Sequence, residues 1–346
     1  MRMSMEALFW NREEGRLRAG WRVIVFTAAA TVASTALAGP GRHFLRALIP
    51  VVYANVVEVA GLVLLIAVFL AVAAKWLDRR PITDYGFHLN RAWWLDLGFG
   101  LALGVILLAG VYALELAMGW ITVTGTLVHP PGQPFAAAIL ADVLVILGIA
   151  GWEEMVFRGY LIKNLAEGLH SKVIRARTAT LIAILIPAVL FGWLHVSETN
   201  ATMFSAINTM LFGVMFGVAY GLTGELALPI GLHFAWDFVQ AFGLGFSGDA
   251  PRLGAVLVVT ESDPTARLWT GWPFAVEGGL LGTAAFVLGL LLIAAWVRWR
   301  RGGLRLDPSL ARGPVRRAAG GTFGDAFVDP LDDGEDHHRG DYPADR

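Results

Sequence analysis

Eight long apolar runs are the feature that most constrains how this chain folds. A helix needs about 20 mostly apolar residues to cross the hydrocarbon core of a bilayer, and eight stretches of the 346-residue chain approach or exceed that length. They lie at approximately 20–38, 48–74, 96–118, 136–160, 178–198, 201–223, 227–246 and 273–297. The sequence therefore predicts an all-α fold, a polytopic membrane bundle of about eight transmembrane helices.

The composition agrees with a membrane protein and excludes several soluble classes. Hydrophobic residues make up 56% of the chain and charged residues only 16%, whereas an average soluble domain carries roughly 25% charged residues. The net charge of −1 leaves no basic excess for a nucleic-acid partner. The absence of cysteine excludes disulfides and a cysteine nucleophile. The expected partner is the lipid bilayer, and the oligomeric state stays open.

The distribution of Lys and Arg predicts the orientation in the membrane. These residues concentrate in the N-terminal segment, in the second and fourth connections and after the last run, while the alternate connections carry few or none. By the positive-inside rule, both termini face the cytoplasm of a cell membrane. Cleavage of residues 1–38 as a signal peptide is an alternative, because Ala36-Leu37-Ala38 resembles a cleavage site.

The order of apolar runs and polar segments divides the chain into five parts. The polar, Pro/Gly-rich composition of the C-terminal part is typical of a disordered tail. The parts are a cytoplasmic N-terminal segment (1–22), transmembrane helices one to three (23–134), a core of helices four to seven (135–246), a loop with helix eight (247–300), and a disordered cytoplasmic tail (301–346).

A cluster of charges interrupts the fourth apolar run. An ionisable group within a bilayer costs at least ~2.5 to 3.5 kcal/mol on insertion scales, so each one needs a reason. Glu153 and Glu154 directly follow apolar residues, and Arg158 lies four residues after Glu154, on the same helix face. Other acids stand alone in apolar stretches, and we expect a structural role for each of them: Glu58, Glu115, Asp142 and Glu277.

Two further polar clusters lie in the fifth and seventh runs. His195 follows Phe191 by one helical turn, and His233 and Asp237 share one face of the seventh helix. A carboxylate, two imidazoles and a further acid are sufficient to activate water. They can act as general bases, or they can ligate a divalent metal ion whose bound water attacks. Both routes predict hydrolysis in a water-filled cavity of the bundle.

The three clusters resemble the motifs of the CPBP (Abi) family, which includes the type II CAAX prenyl proteases. The family pattern is Glu-Glu-x-x-x-Arg, Phe-x-x-x-His and His-x-x-x-Asn or Asp, and the chain carries it in this order within about 135–246. The resemblance implies an intramembrane endopeptidase that hydrolyses a membrane-associated protein or peptide, in CAAX-type or peptide-maturation processing. Glu154 and Arg158 would be structural or would assist the site by pairing.

The resemblance also implies a role for each remaining site residue. Glu153 with His195 would activate the attacking water, and His233 with Asp237 would stabilise the oxyanion. If a divalent metal such as zinc is used, these four residues would be its ligands. Asp237 stands where the eukaryotic prenyl proteases have Asn, and an acid is a better metal ligand than an oxyanion donor.

Other functions remain possible interpretations of the same residues. A non-catalytic immunity or scaffold protein, or a transporter, is the main alternative. Residues 245–248 read Gly-Phe-Ser-Gly, which resembles the serine motif of rhomboids, but only histidines of the C-terminal tail follow. An aspartyl pair of Asp142 and Asp237 has no supporting motif, and the zinc signature His-Glu-x-x-His is absent.

The hydrolytic interpretation requires the clusters to converge. Glu153 comes late in the fourth run and His195 late in the antiparallel fifth run. At about 1.5 Å of rise per residue they would lie toward opposite faces of the membrane. We therefore expect the fourth helix to continue beyond Arg158, so that Glu153, His195 and His233 meet within hydrogen-bond or water-bridged reach.

Overall fold

Long helices make up most of the computed structural model, which describes residues 8–12, 14–129, 131–243 and 254–314. They are α1 (Ala19–Leu48), α2 (Tyr53–Asp78), α3 (Arg91–Ala117), α4 (Phe135–Leu169), α5 (Ala176–Ser197), α6 (Met203–Thr223), α7 (Ala227–Phe238) and α8 (Leu280–Arg301). Within the described ranges, seven of them are long and apolar enough to cross a membrane, and α7 is the shorter exception. The predicted α-helical, multi-pass membrane bundle is confirmed.

Helix α4 is the longest of the set and continues beyond Arg158, as expected from the depth argument. It is α-helical over Phe135–Glu154 and then winds in wider π-helical turns over Met155–Ile162. Such turns occur mostly as short insertions in α-helices and often lie at functional sites. Glu153 therefore lies near the middle of α4, directly before the change of winding.

Glycines bring the helices around α7 close together. A Cβ atom on Gly231 of α7 would lie 2.5 Å from the carbonyl oxygen of Leu97 in α3. On α6, a Cβ atom on Gly213 would lie 3.0 Å from the Cα atom of Ala188 in α5. Small residues allow this close backbone approach between membrane helices. Helix α7 consequently packs against α3, α4 and α6.

Two hydrophobic clusters form the interior. The first surrounds α4 and includes Phe191, and the second joins α3, α6, α7 and α8 and includes Phe216 and Trp236. Phe191 and Phe216 both lie against the guanidinium of Arg158, with ring centroids at 4.8 and 4.9 Å from its central carbon. The polar cluster of α4 is thus placed where the two apolar clusters meet.

Four short strands accompany the helices, and the sequence analysis predicted none of them. Strands β1 (Trp10–Asn11) and β2 (Arg16–Leu17) form an antiparallel pair before α1. Strand β3 (Ile121–Val128) follows α3 and pairs antiparallel with β4 (Ala255–Glu261), which precedes α8. The β3–β4 sheet therefore joins the α3–α4 and α7–α8 connections at one end of the bundle.

A buried ionic network, called here the arginine cluster, lies where α2 ends. It comprises Arg16, Arg22, Asp78, Arg80 and Glu167, whose side chains are 0 to 7% exposed. Arg22 pairs with Asp78 and with Glu167, both at 2.6 Å, and Arg16 pairs with Glu167 at 2.5 Å. Arg80 also pairs with Glu167. The network links the N-terminal segment to α1, α2 and α4.

The chain continues to pack after α8. A turn of 3₁₀-helix over Pro308–Ala311 buries Leu310 and Ala311. The backbone N–H of Asp307 donates to the carbonyl oxygen of Gly221 at 2.8 Å, and Lys163 donates to the carbonyl oxygen of Ser309. The segment predicted as a tail therefore begins with a packed stretch to residue 314. Residues 315–346, like residues 245–248, lie outside the described ranges.

Candidate active site

The structure brings the predicted polar residues of α4 and α7 into direct contact. The imidazole of His233 is the centre of this contact, and its side chain is only 4% exposed. Its Nδ1 atom lies 2.9 Å from Oε1 of Glu154. Its Nε2 atom lies 3.3 Å from Oδ2 of Asp237 and 3.8 Å from Oε2 of Glu153. One ring thus faces three carboxyl groups.

Glu154 holds His233 in one orientation. A carboxylate oxygen only accepts hydrogen bonds, so the Nδ1–H of His233 donates to Glu154. The same oxygen accepts from Nη1 of Arg158 at 2.8 Å, across one helical turn. Glu154 and Arg158 are 0 and 2% exposed at their side chains. This buried pair positions the imidazole and directs its Nε2 atom toward Glu153 and Asp237.

Aromatic rings and a backbone carbonyl fix Arg158 in turn. Its guanidinium lies between Phe191 of α5 and Phe216 of α6, in cation–π geometry. Its Nη2 atom is 3.4 Å from the carbonyl oxygen of Gly213. The ring of Phe216 also stacks on His233, with centroids 4.9 Å apart. Phe191, the phenylalanine of the Phe-x-x-x-His motif, therefore contacts Arg158 of the charged pair and also His195, whose ring centroid is 4.5 Å away.

Glu153 and Asp237 are the more accessible carboxyl groups of the site. Their side chains are 13 and 27% exposed, whereas Glu154 is fully buried. Arg158 hydrogen-bonds to Glu154, but Glu153 faces the imidazole of His233. Glu153 is thus a partly exposed carboxyl group that faces His233 and is not bonded to Arg158.

His195 lies at the edge of this group and is anchored by its own helix. Its Nδ1–H donates to the carbonyl oxygen of Phe191 at 2.7 Å, because a carbonyl only accepts. The Nε2 atom is 3.7 Å from Oε1 of Glu198. His195 also lies within electrostatic range of Glu153. The structure thus brings His195 near the site, whereas His233 is the imidazole whose Nε2 atom lies 3.8 Å from Glu153.

Glu198 is a site neighbour that the sequence analysis missed. It follows His195 by three residues, in the short connection from α5 to α6, and its side chain is 50% exposed. Burial against the protein raises the pKa of its carboxyl group, while His195 lowers the pKa and Asp237 raises it. The signal that could have indicated it is its spacing of three residues from His195, which places two side chains on one helix face.

The donor atoms do not form a metal site in this arrangement. Across the described ranges, no group of three or more His, Asp or Glu side chains is placed so that it could hold a metal ion. His195 points its Nδ1–H to a carbonyl, and His233 points its Nδ1–H to Glu154. These hydrogen bonds occupy only the Nδ1 atoms and leave each Nε2 atom as a potential ligand, so the conditional zinc site stays a prediction from the sequence.

Two of the other acids of the apolar runs have partners away from this site, and a third has, among the described residues, no hydrogen-bond partner for its carboxyl oxygens. Glu58 accepts from Nε of Arg42 at 2.8 Å, and Asp142 accepts from the backbone N–H of Gly254 at 2.9 Å. Asp142 is thus engaged with a different segment from Asp237. Both carboxyl oxygens of Glu115 are buried without a hydrogen-bond partner in the described part of the chain.

Fold and site together define a class: a polytopic α-helical membrane protein with a buried carboxylate–imidazole centre. Residues 135–239, which span α4 to the end of α7, match the family described as type II CAAX prenyl endopeptidase Rce1-like. The match confirms the resemblance indicated by the three motifs over this stretch, which is under a third of the chain. No curated protein and no solved structure matches the chain.

Proposed function

We propose that the protein is an intramembrane endopeptidase that hydrolyses a peptide bond of a membrane-associated protein or peptide. The observation that carries the proposal is the division of labour between two adjacent carboxyl groups. Glu154 is neutralised by Arg158 and orients His233, while Glu153 faces the Nε2 atom of that imidazole and remains partly accessible. A carboxylate in this position is suited to accept a proton from water.

In the proposed reaction, Glu153 accepts a proton from water while the water oxygen attacks the carbonyl carbon of the scissile bond. The proton then passes to the amine as the carbon–nitrogen bond breaks. The Nε2 atom of His195 is available for this transfer, because the Nδ1–H already donates to the carbonyl of Phe191. Glu153 and His195 would therefore share the handling of the proton.

His233 and Asp237 would act on the developing negative charge. With Nδ1–H held by Glu154, a proton on Nε2 gives His233 a second donor that faces the space beside Glu153. Asp237, 3.3 Å from that nitrogen, favours the protonated ring. A donor fixed in place before the reaction stabilises an oxyanion more than a mobile one does. This role suits Asp237 at a position where eukaryotic prenyl proteases have Asn.

The substrate and the setting follow from the same features. Seven helices long and apolar enough to cross a membrane support a site within a bilayer, so we expect the substrate to be a protein or peptide held in or at that membrane. Processing of a CAAX terminus and maturation of another membrane-bound peptide both fit this chemistry. We place the protein in a cell membrane with both termini in the cytoplasm, on the distribution of Lys and Arg.

Cleavage of candidate membrane peptides by the purified protein tests this function. Wild type should cleave at least one peptide, and Glu153→Ala should be inert but folded, because it lacks the proposed base. Equal cleavage by both proteins would remove Glu153 from the mechanism, and no cleavage by wild type across prenylated and unprenylated peptides would contradict the proposal. Activity measured after chelation distinguishes a metal-dependent enzyme from one that uses its side chains alone.

A further inference from the structure

We infer that Glu277 is a positioning residue that holds α7 in the rotation at which His233 and Asp237 face Glu153. The inference rests on the proposed function and adds a residue to it. Glu277 is a lone acid in the sequence and lies outside both the three motifs and the matched stretch 135–239.

The carboxylate of Glu277 binds two side chains of the site helix or its continuation. The Nε1–H of Trp236 donates to its Oε1 atom. The Nε2 atom of Gln240 lies 3.1 Å from Oε1 and 3.0 Å from Oε2. Glu277 is 8% exposed and Trp236 is fully buried. Hydrogen bonds to a charged acceptor in such a water-poor setting are stronger than those between neutral groups.

Glu277 is itself held by two other helices. It lies in the 3₁₀ turn Val276–Gly278, directly before α8. The side-chain amide of Asn208, on α6, donates to the carbonyl oxygens of Glu277 and Gly279 at 2.8 and 3.0 Å. The hydroxyl of Thr283, on α8, donates to Oδ1 of Asn208 at 2.8 Å. The turn is therefore a fixed anchor, and α7 is the element that it orients.

Helix geometry connects this anchor to the reacting groups. Trp236 and Gln240 are four residues apart, as are His233 and Asp237, and on an ideal helix the two pairs lie on neighbouring faces. The winding changes between Trp236 and Gln240, since α7 is α-helical to Phe238 and the chain is π-helical over Val239–Gly243. The carboxylate of Glu277 spans that change. A rotation of α7 that broke these bonds would also turn His233 and Asp237 away from Glu153.

Two substitutions separate the hydrogen bonds from the charge. Glu277→Ala removes every side-chain acceptor, whereas Glu277→Gln keeps one for Trp236. The new side-chain amide also carries a donor, which Gln240 can accept by turning its own amide. The Oε1 atom of Gln240 is free to do so, because it is buried without a hydrogen-bond partner in the described structure. Asp96→Ala is the matched control, since Asp96 accepts from Nε1 of Trp296 at 2.8 Å, between α3 and α8.

The measurements are kcat and KM per folded molecule, in vesicles, on the peptide that wild type cleaves fastest. Hydrogen exchange of the peptide covering 227–243 is measured in parallel. Glu277→Ala should lower kcat on the order of 10- to 100-fold with KM unchanged, and exchange in 227–243 should rise. Glu277→Gln should restore most of kcat, and Asp96→Ala should leave both kcat per folded molecule and exchange in 227–243 at wild-type values.

A purely structural role for Glu277 predicts a different result. Glu277→Ala would then yield less folded protein, but each folded molecule would keep the wild-type kcat, and this outcome would overturn the inference. Equal loss in Glu277→Ala and Glu277→Gln would also overturn it. If Glu277→Ala does not fold, Gln240→Ala removes one half of the contact and should show the same kcat-specific loss. If wild type cleaves no peptide, the proposed function fails, while hydrogen exchange still tests the anchor.

Discussion

Two buried charge clusters occupy this bundle, and their difference separates a structural network from a candidate active site. In the arginine cluster, Glu167 is shared by three guanidinium groups, from Arg16, Arg22 and Arg80. The side chains of the arginine cluster are at most 7% exposed. In the site, Glu154 has one guanidinium partner, while Glu153 faces an imidazole and is 13% exposed.

The comparison shows that burial of charge alone does not indicate chemistry. Carboxylates bonded to several cations and sealed from water have no capacity left to take up a proton or to meet a substrate. A carboxylate that lies next to an imidazole and remains partly exposed retains both capacities. The first arrangement fixes helix ends against each other, and the second leaves a group that can react.

Breaking the arginine cluster should give the largest effect on stability. Glu167→Gln leaves the guanidinium groups of Arg16, Arg22 and Arg80 without their shared charged partner. Removal of one partner from a buried ionic network costs about 3–5 kcal/mol. We expect the free energy of unfolding to fall by that amount, measured by denaturant or thermal unfolding in detergent. The cleavage rate per folded molecule should stay at the wild-type value, and a specific loss of that rate would contradict the division between the clusters.

Breaking the buried pair of Glu154 and Arg158 should lower both the free energy of unfolding and the cleavage rate. Glu154→Gln keeps an acceptor for His233 but removes the charge that balances Arg158. Misplacement of a reacting side chain by about 1 Å can cost on the order of 100-fold in activity. We therefore expect kcat/KM to fall by this factor, together with a measurable loss of stability. Glu58→Gln is the control from the half-exposed pair of Glu58 with Arg42, and an equal loss of kcat/KM there would show that any acid of the apolar runs matters.

The smallest expected effect is the pH dependence of stability that Glu198 causes. Burial raises the pKa of Glu198 above its ordinary value of 4.5, so the folded protein binds this proton more tightly than the unfolded chain does. Ionisation of Glu198 then disfavours the folded state as pH rises from about 4.5 through the raised pKa, and the cost is constant above it. Glu198→Gln removes that cost.

The difference in Tm between Glu198→Gln and wild type should accordingly grow over this pH window and level off above it. Because Glu198 is half exposed, solvent reduces the size of the effect. Thermal unfolding measured from pH 4 to 8 checks it. A difference in Tm that is flat across the window would show that the pKa of Glu198 is unshifted.

The spans and the motif residues could be predicted from the sequence because their signals are local. An apolar run of about 20 residues indicates a span by itself, and Glu154 and Arg158 reveal their pairing through a spacing of four. The arginine cluster carries no such signal. Arg16 and Arg22 meet Glu167 across 151 and 145 residues of chain. Only the packed bundle brings these side chains together.

The strands and the anchor of α7 were missed for related reasons. Strand β3 pairs with β4 across more than a hundred residues, with Ile121 opposite Glu261. Glu277 looks like an isolated acid until the turn before α8 is placed beside Trp236. The packing of Leu310 was hidden by the polar composition around it, because a short 3₁₀ turn buries few side chains.

Hydrolysis of a membrane-tethered peptide in ¹⁸O-labelled water tests the central claim most directly. Wild type and Glu153→Gln are compared at equal amounts of folded protein, and the products are analysed by mass spectrometry. The account predicts that wild type places ¹⁸O in the newly formed carboxyl terminus and that Glu153→Gln yields no labelled product above background. The same labelled product at the same rate from Glu153→Gln would contradict it.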